Sequence, residues 1–164
     1  MDVRKVYEYA LQREHEGKNF FESNAARMSH AVAQGAFRRL AGEEDKHIKF
    51  IESLLAGLDS GSKADDTSMR AELQKSGFFM ERAKSEMLEQ TVMESMVPDL
   101  SILRMAYIIE RDISEFYEMA ASQAEGKAKD ALQMLADWER GHERLFKELH
   151  DKVFAEYAAM PWGG

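Results

Sequence analysis

Four glutamates and two histidines recur at matched spacings, and together they have the composition of a metal-binding site. A single glutamate is followed by a Glu-x-x-His pair, and this order occurs twice, as Glu14 with Glu44 and His47 and as Glu110 with Glu139 and His142. Residues i and i+3 share one face of a helix, so each pair directs a carboxylate and an imidazole toward one point. Carboxylate and imidazole without thiolate are ligands that suit iron or manganese.

The match between the two halves extends to the residues around each glutamate. Glu110 follows Glu14 by 96 residues and Glu139 follows Glu44 by 95, and Leu-Ala precedes both Glu-x-x-His pairs. Such self-similarity indicates an internal repeat of a helical hairpin. Four ionised carboxylates facing one core would be too costly to bury without compensating charge. The repeat therefore predicts two divalent cations in the interior.

Apolar residues at helical spacing predict the elements that carry these side chains. The predicted helices cover residues 3–28, 31–58, 99–124 and 127–157. Ser29 is a suitable N-cap for the second helix. Pro98 interrupts the pattern, so Asp99 or Ser101 is expected to open the third helix.

The connection between the second and third helices, residues 59–97, is much longer than a turn. The predicted second helix would be roughly 40 Å long. About 12–13 extended residues can cover that distance. The connection can therefore return along the bundle and still contain an extra helix, for which its Met-rich part, residues 69–96, is compatible. We predict one all-α domain over residues 1–164, a ferritin-like four-helix bundle with one long crossover.

The residues of the repeat resemble those of the ferritin-like diiron-carboxylate superfamily, in particular rubrerythrin-like proteins without a rubredoxin domain. The resemblance implies two iron ions, with Glu44 and Glu139 bridging both. It implies terminal ligands for each iron, namely Glu14 with His47 and Glu110 with His142. It also implies that Tyr117 donates a hydrogen bond to a ligand carboxylate, although plain core packing of Tyr117 is an alternative.

The resemblance further implies a diiron oxidoreductase that reacts with H2O2 or O2 and takes electrons from a separate protein. Two positions depart from the family pattern: Ile113 stands where classical rubrerythrins carry a further glutamate, and Phe21 stands where a tyrosine is frequent. The alternatives are a ferroxidase or iron-storage subunit and a non-catalytic bundle that metal stabilises. Manganese in place of iron stays open.

The composition of the chain excludes several classes of partner and of metal site. The 164 residues carry a formal charge of −8, which argues against nucleic acid or an anionic membrane surface. The absence of cysteine excludes disulfides, thiolate zinc sites and rubredoxin-type iron sites in this sequence. No apolar run reaches the roughly 20 residues of a membrane helix, and the first residues lack the apolar segment of a signal peptide. These features predict a cytoplasmic protein and leave a homodimer open.

Several other residues have simpler interpretations. The remaining histidines, His15, His30 and His150, lie outside the repeat and are predicted to be surface residues. The methionines of the crossover, Met80, Met87, Met93 and Met96, are predicted to fill apolar gaps rather than bind a soft metal. Gly17 costs about 1 kcal/mol against alanine within a helix. It either leaves room for a ligand of the iron or allows close helix packing.

Overall fold

The computed structural model of the chain describes residues 1–28, 31–60 and 96–160, and their regular structure is helical. It contains α1 (Val3–Ala25), α2 (Ala31–Ser60), α3 (Met96–Gln123) and α4 (Gly126–Ala158). The predicted all-α four-helix bundle is therefore confirmed. None of the helices in these ranges combines the length and hydropathy needed to cross a membrane.

The boundaries of the helices differ from the predicted ones by up to three residues. Helix α1 ends at Ala25 rather than at residue 28, and α3 begins at Met96 rather than at Asp99 or Ser101. Pro98 thus lies inside the first helical turn instead of in front of it. The first turn has no intrahelical partner for its N–H groups, so the missing N–H of proline costs nothing there.

Residues at the ends of the helices explain where α1 begins and how α3 connects to α4. Asp2 caps α1, because its side chain accepts a hydrogen bond from the backbone N–H of Lys5 at 3.3 Å. Only residues 124 and 125 separate α3 from α4. Gly126 opens α4 with a φ of 56°, a left-handed conformation that glycine adopts without strain. Ser29 and residues 61–95, with most of the crossover and with Met80, Met87 and Met93, lie outside the described residues, whereas Met96 is the first residue of α3.

The helices form two antiparallel pairs. Arg4 near the start of α1 pairs with Asp59 near the end of α2. In the same way, the ring of Tyr107 in the first half of α3 contacts the ring of His150 near the end of α4, with centroids 5.5 Å apart. Each half of the sequence repeat is thus one helical hairpin.

Two apolar clusters fill the bundle, one on each side of a central layer. The Phe21 cluster contains Phe21, Phe37 and Phe146, whose rings contact one another with centroids 5.3–5.6 Å apart. The Leu132 cluster occupies the other end of the core and includes Phe50 and Leu132. The side chains of the repeat lie in the layer between these clusters, which shield that layer from solvent.

Candidate metal centre

All six side chains of the predicted site are buried in this central layer. Helical periodicity places them there: on α1, for example, Ala10 belongs to the Leu132 cluster and Phe21 to the Phe21 cluster, and Glu14 lies between them. The same alternation holds on the other helices. The exposed fraction is at most 3 % for every member, namely Glu14, Glu44, His47, Glu110, Glu139 and His142.

The six groups form two overlapping sets of ligand atoms. One set consists of Glu14, Glu44, His47 and Glu139, and the other of Glu44, Glu110, Glu139 and His142. Within each set one ligand atom from every residue lies within 4.8 Å of the others. Each set draws its four residues from three helices, and the two sets share the carboxylates of Glu44 and Glu139. This geometry suits two neighbouring cations.

The His47 imidazole faces three carboxylates through one nitrogen. Its Nδ1 lies 2.7 Å from Glu139 Oε1, 3.3 Å from Glu14 Oε2 and 3.5 Å from Glu44 Oε2. A single imidazole nitrogen cannot donate to three acceptors at once. The convergence is the arrangement expected around a cation that all four groups would bind.

The His142 imidazole repeats this geometry on the other side. Its Nδ1 lies 3.0 Å from Glu139 Oε2 and 3.5 Å from both Glu44 Oε1 and Glu110 Oε2. The two imidazole rings stack, with centroids 5.6 Å apart and an interplanar angle of 19°. The two halves of the site are therefore related by an approximate twofold symmetry, as the sequence repeat predicts.

Burial and mutual repulsion disfavour charge on two of the carboxylates. Burial raises the pKa of Glu14 and of Glu110 well above the ordinary value of 4.5, and the carboxylates of Glu139 and Glu44 raise both further. Without cations between them, these two side chains retain protons at pH values where an exposed glutamate is ionised. Binding of a cation at these oxygens would displace those protons.

The imidazoles respond in the opposite sense to the same surroundings. Burial alone lowers the pKa of His47 and His142, but the carboxylates around them, that of Glu139 above all, raise both well above 6.5. Burial alone would likewise raise the pKa of Glu139, yet the two imidazoles hold it well below 4.5. Protons on the imidazoles thus offset part of the buried negative charge, and a metal ion at Nδ1 would replace them.

The hydrogen bonding of the carboxylate oxygens indicates whether metal ions fit this site. Both oxygens of Glu44, both of Glu110 and Oε1 of Glu139 are buried and accept no hydrogen bond of acceptable geometry from the described residues. Buried polar atoms without partners are costly and rare. Cations would satisfy all of them, and the oxygen and nitrogen donors match the preferences of iron and manganese. The residues present therefore fit a pair of such ions.

Tyr117 lies in the same layer and makes the two halves unequal. Its hydroxyl donates a hydrogen bond to Glu14 Oε1, and its ring is fully buried. Phe21 occupies the equivalent position of the repeat on α1 and has no hydroxyl to donate to Glu110. Tyr117 therefore makes the contact expected of a donor to a ligand carboxylate, beyond plain core packing.

Sequence reasoning missed one neighbour of the site, Trp138. Its ring stacks on the His47 ring, with centroids 5.3 Å apart and an interplanar angle of 6°, and contacts Phe50 edge-on. Trp138 is half-buried. Trp138 directly precedes Glu139 in the sequence, so a position near the site was predictable. Sequence adjacency alone does not reveal which histidine the ring covers.

The other histidines have no part in this layer within the described structure. His15 is exposed, as predicted. His150 is only partly exposed, with a side-chain exposure of 18 %, because Tyr107 and Phe154 cover its ring. His30 lies outside the described residues.

Comparison with known proteins agrees with the fold and with the composition of the site. The family model described as Rubrerythrin matches residues 5–150, a range that includes all six groups of the central layer. No curated protein and no solved structure matches the chain. The match covers most of the sequence and confirms the resemblance that the repeat indicated. The chain therefore belongs to the rubrerythrin family, whose domain is of the ferritin-like diiron type.

Proposed function

We propose that this chain is a diiron oxidoreductase that reduces H2O2 or O2 at the buried site. The observation that supports it is the pair of overlapping ligand sets that share Glu44 and Glu139. Glu44 and Glu139 would help to hold both ions, since each belongs to both sets. Glu14 and His47 complete one position, and Glu110 and His142 complete the other.

Bound ferrous ions would supply one electron each, so that one H2O2 and two protons become two waters. The contribution of the protein is to hold the two positions at fixed separation and to keep bulk water away. Tyr117 would orient Glu14 and lower its freedom to rotate. The carboxyls that hold protons in the absence of cations, Glu14 and Glu110, lie where protons would be required.

The oxidised site needs new electrons for another turnover. The sequence contains no cysteine, so it offers no thiolate iron centre as an internal donor. We therefore propose a separate electron-donor protein. The metal content of protein purified without added metal distinguishes iron from manganese, and sedimentation shows whether two chains pair.

The experiment uses protein loaded anaerobically with ferrous iron and titrated with H2O2. We expect one H2O2 consumed per two irons, with near-ultraviolet charge-transfer absorption that grows in proportion. Glu44→Gln and Glu139→Gln should abolish both, because each removes an oxygen that the two positions share. Glu52→Gln on the exposed side of α2 serves as the matched control and should behave as wild type.

The titration, together with the melting temperature and the particle size, distinguishes the alternative functions. Iron bound at two per chain that reacts with neither H2O2 nor O2, while chelation lowers the melting temperature, would identify a non-catalytic metal-stabilised bundle. Iron storage requires a closed shell of many subunits, so a very large particle that takes up many irons per chain would identify a ferroxidase subunit instead.

A further inference from the structure

A cavity of about 290 Å³ lies between α1 and α3, next to the central layer. Arg13 and Gly17 of α1 line one side, and Ile109, Ile113 and Phe116 of α3 line the other. Tyr9 at its margin is 46 % exposed, so the outer end reaches solvent. None of the six side chains of the metal centre lines this cavity.

Gly17 is the lining residue that lies close to the shared carboxylate of Glu44, whose oxygens are themselves buried. A Cβ atom added to Gly17 would lie 3.8 Å from Glu44 Oε2 and 3.9 Å from Ile113 Cδ1. These are ordinary contact distances, so a gap large enough for a methyl group separates the glycine backbone from a shared carboxylate. A methyl group would therefore fit at Gly17, and no side chain of residue 17 stands between the cavity and Glu44.

The chemistry of the walls indicates what can enter. The α3 side is apolar, through Ile109, Ile113 and Phe116. At the mouth, Arg13 Nη2 lies 2.8 Å from Glu16 Oε1 and the guanidinium covers the Tyr9 ring at 5.0 Å, whereas Arg13 Nε is buried and has no hydrogen-bond acceptor among the described residues.

The second acidic group at the mouth is also paired. Asp112 Oδ1 lies 3.3 Å from Arg111 Nη2. The lining thus contains two carboxylates, Glu16 and Asp112, and one cation, Arg13, so its net charge disfavours an anion. A bulky molecule would not pass the gap at Gly17. A small uncharged molecule fits both conditions.

We propose that this cavity is the entrance through which the small uncharged oxidant, H2O2 or O2, reaches the site, with Gly17 as its aperture. The proposal rests on the proposed function, since it assumes that an oxidant reacts at the buried ions. In this proposal Gly17 has no side chain because the oxidant must pass there, and not because two helices pack closely.

The test fills the aperture with Gly17→Leu. In helices, leucine side chains point back toward the preceding turn, here over Arg13 and Glu14, and so into the inner part of the cavity. Leucine favours a helix more than glycine does, so the bundle should still fold. Gly35→Leu is the matched control, because Gly35 is an exposed glycine of α2 with no atom near its added Cβ.

Access is measured with nitric oxide, an uncharged diatomic that binds ferrous iron, by stopped-flow absorbance. We expect Gly17→Leu to slow nitric oxide association by about tenfold or more and to slow oxidation by H2O2 in parallel. Oxidation by ferricyanide, which is too large for the cavity and takes electrons from outside, should keep its wild-type rate. Iron content and melting temperature should match those of Gly35→Leu.

Wild-type rates of nitric oxide association in Gly17→Leu would overturn the entrance and leave the proposed function intact. A wild-type protein that binds nitric oxide but reacts with no oxidant would overturn the proposed function instead. If leucine reduces the iron content, Gly17→Ala decides, because its methyl group fits without a clash. Slower association in that variant, at the wild-type ferricyanide rate, supports the entrance, and unchanged association refutes it.

Discussion

Individual side chains in the central layer differ in how much of their surroundings the sequence reveals. The spacing of Glu44 and His47 follows from helical geometry alone, so it was predictable. The hydrogen bond from Tyr117 to Glu14 joins residues 103 positions apart, and the stacking of Trp138 on His47 joins two hairpins. Both contacts depend on how the hairpins meet, and each yields a test of the site.

Tyr117→Phe should weaken metal binding because it removes the donor that holds Glu14 in place. We expect a loss of about 10–100-fold in affinity, the usual effect of removing a hydrogen bond to a metal ligand. Cobalt(II) titration followed by visible absorbance measures it. Tyr107→Phe, at a half-buried position outside the site, is the control. Equal affinities of the two variants would contradict the role of the hydroxyl.

Trp138 should report occupancy of the site through its fluorescence. The sequence has two tryptophans, so Trp162→Phe leaves Trp138 as the only tryptophan, which excitation at the red edge of the absorption band selects over tyrosine. Its contact with the His47 ring predicts strong quenching when ferrous iron or cobalt(II) binds and little when zinc binds. In Trp138→Phe the remaining emission should not respond. Emission of Trp138 that is indifferent to iron would place the ions away from His47.

At the scale of elements, the four helices hold the site by packing on both sides of it. Periodic apolar residues predicted all four, because that pattern is local to each helix. The start of α3 was predicted three residues too late, since Pro98 is compatible with a first turn. The Phe21 cluster is where the two hairpins interlock, and it should therefore contribute strongly to stability.

Phe146→Ala tests that contribution. Phe146 is fully buried against Phe21 and Phe37, so its removal should cost about 3–5 kcal/mol in the free energy of unfolding. Phe154→Ala on the same helix is the control: Phe154 is 53 % exposed, and a loss within about 0.5 kcal/mol is expected for a surface change. Urea denaturation of both metal-stripped variants provides the comparison. Similar losses in the two would contradict the packing role of the cluster.

At the scale of the whole molecule, burying the ionisable layer links stability to pH and to metal. The pKa values of Glu14, Glu110, His47 and His142 are raised on folding, so the folded chain binds protons more tightly than the unfolded chain does. A group of this kind stabilises the fold fully below its ordinary pKa, 4.5 for glutamate and 6.5 for histidine. That contribution is lost as pH rises through the folded value.

Metal-stripped protein should consequently lose stability as pH rises above 6.5, the ordinary pKa of histidine, whereas metal-loaded protein should not, because cations replace the protons. Melting temperatures across this range measure both. The double variant Glu14→Gln, Glu110→Gln keeps two neutral side chains and should show a shallower decline when stripped. A stripped wild-type protein that becomes more stable with rising pH would refute the pKa directions.

The sequence by itself determined the class of fold, the family and the six groups that the structure brings together. These depend on helical periodicity and on a repeated spacing, which are local properties of the chain, and their role as metal ligands remains to be measured. Tertiary structure alone decided the Tyr117–Glu14 hydrogen bond, the cover of Trp138 over His47 and the cavity at Gly17. Such features depend on the distance and rotation between helices, which the packing of apolar side chains from all four helices sets together.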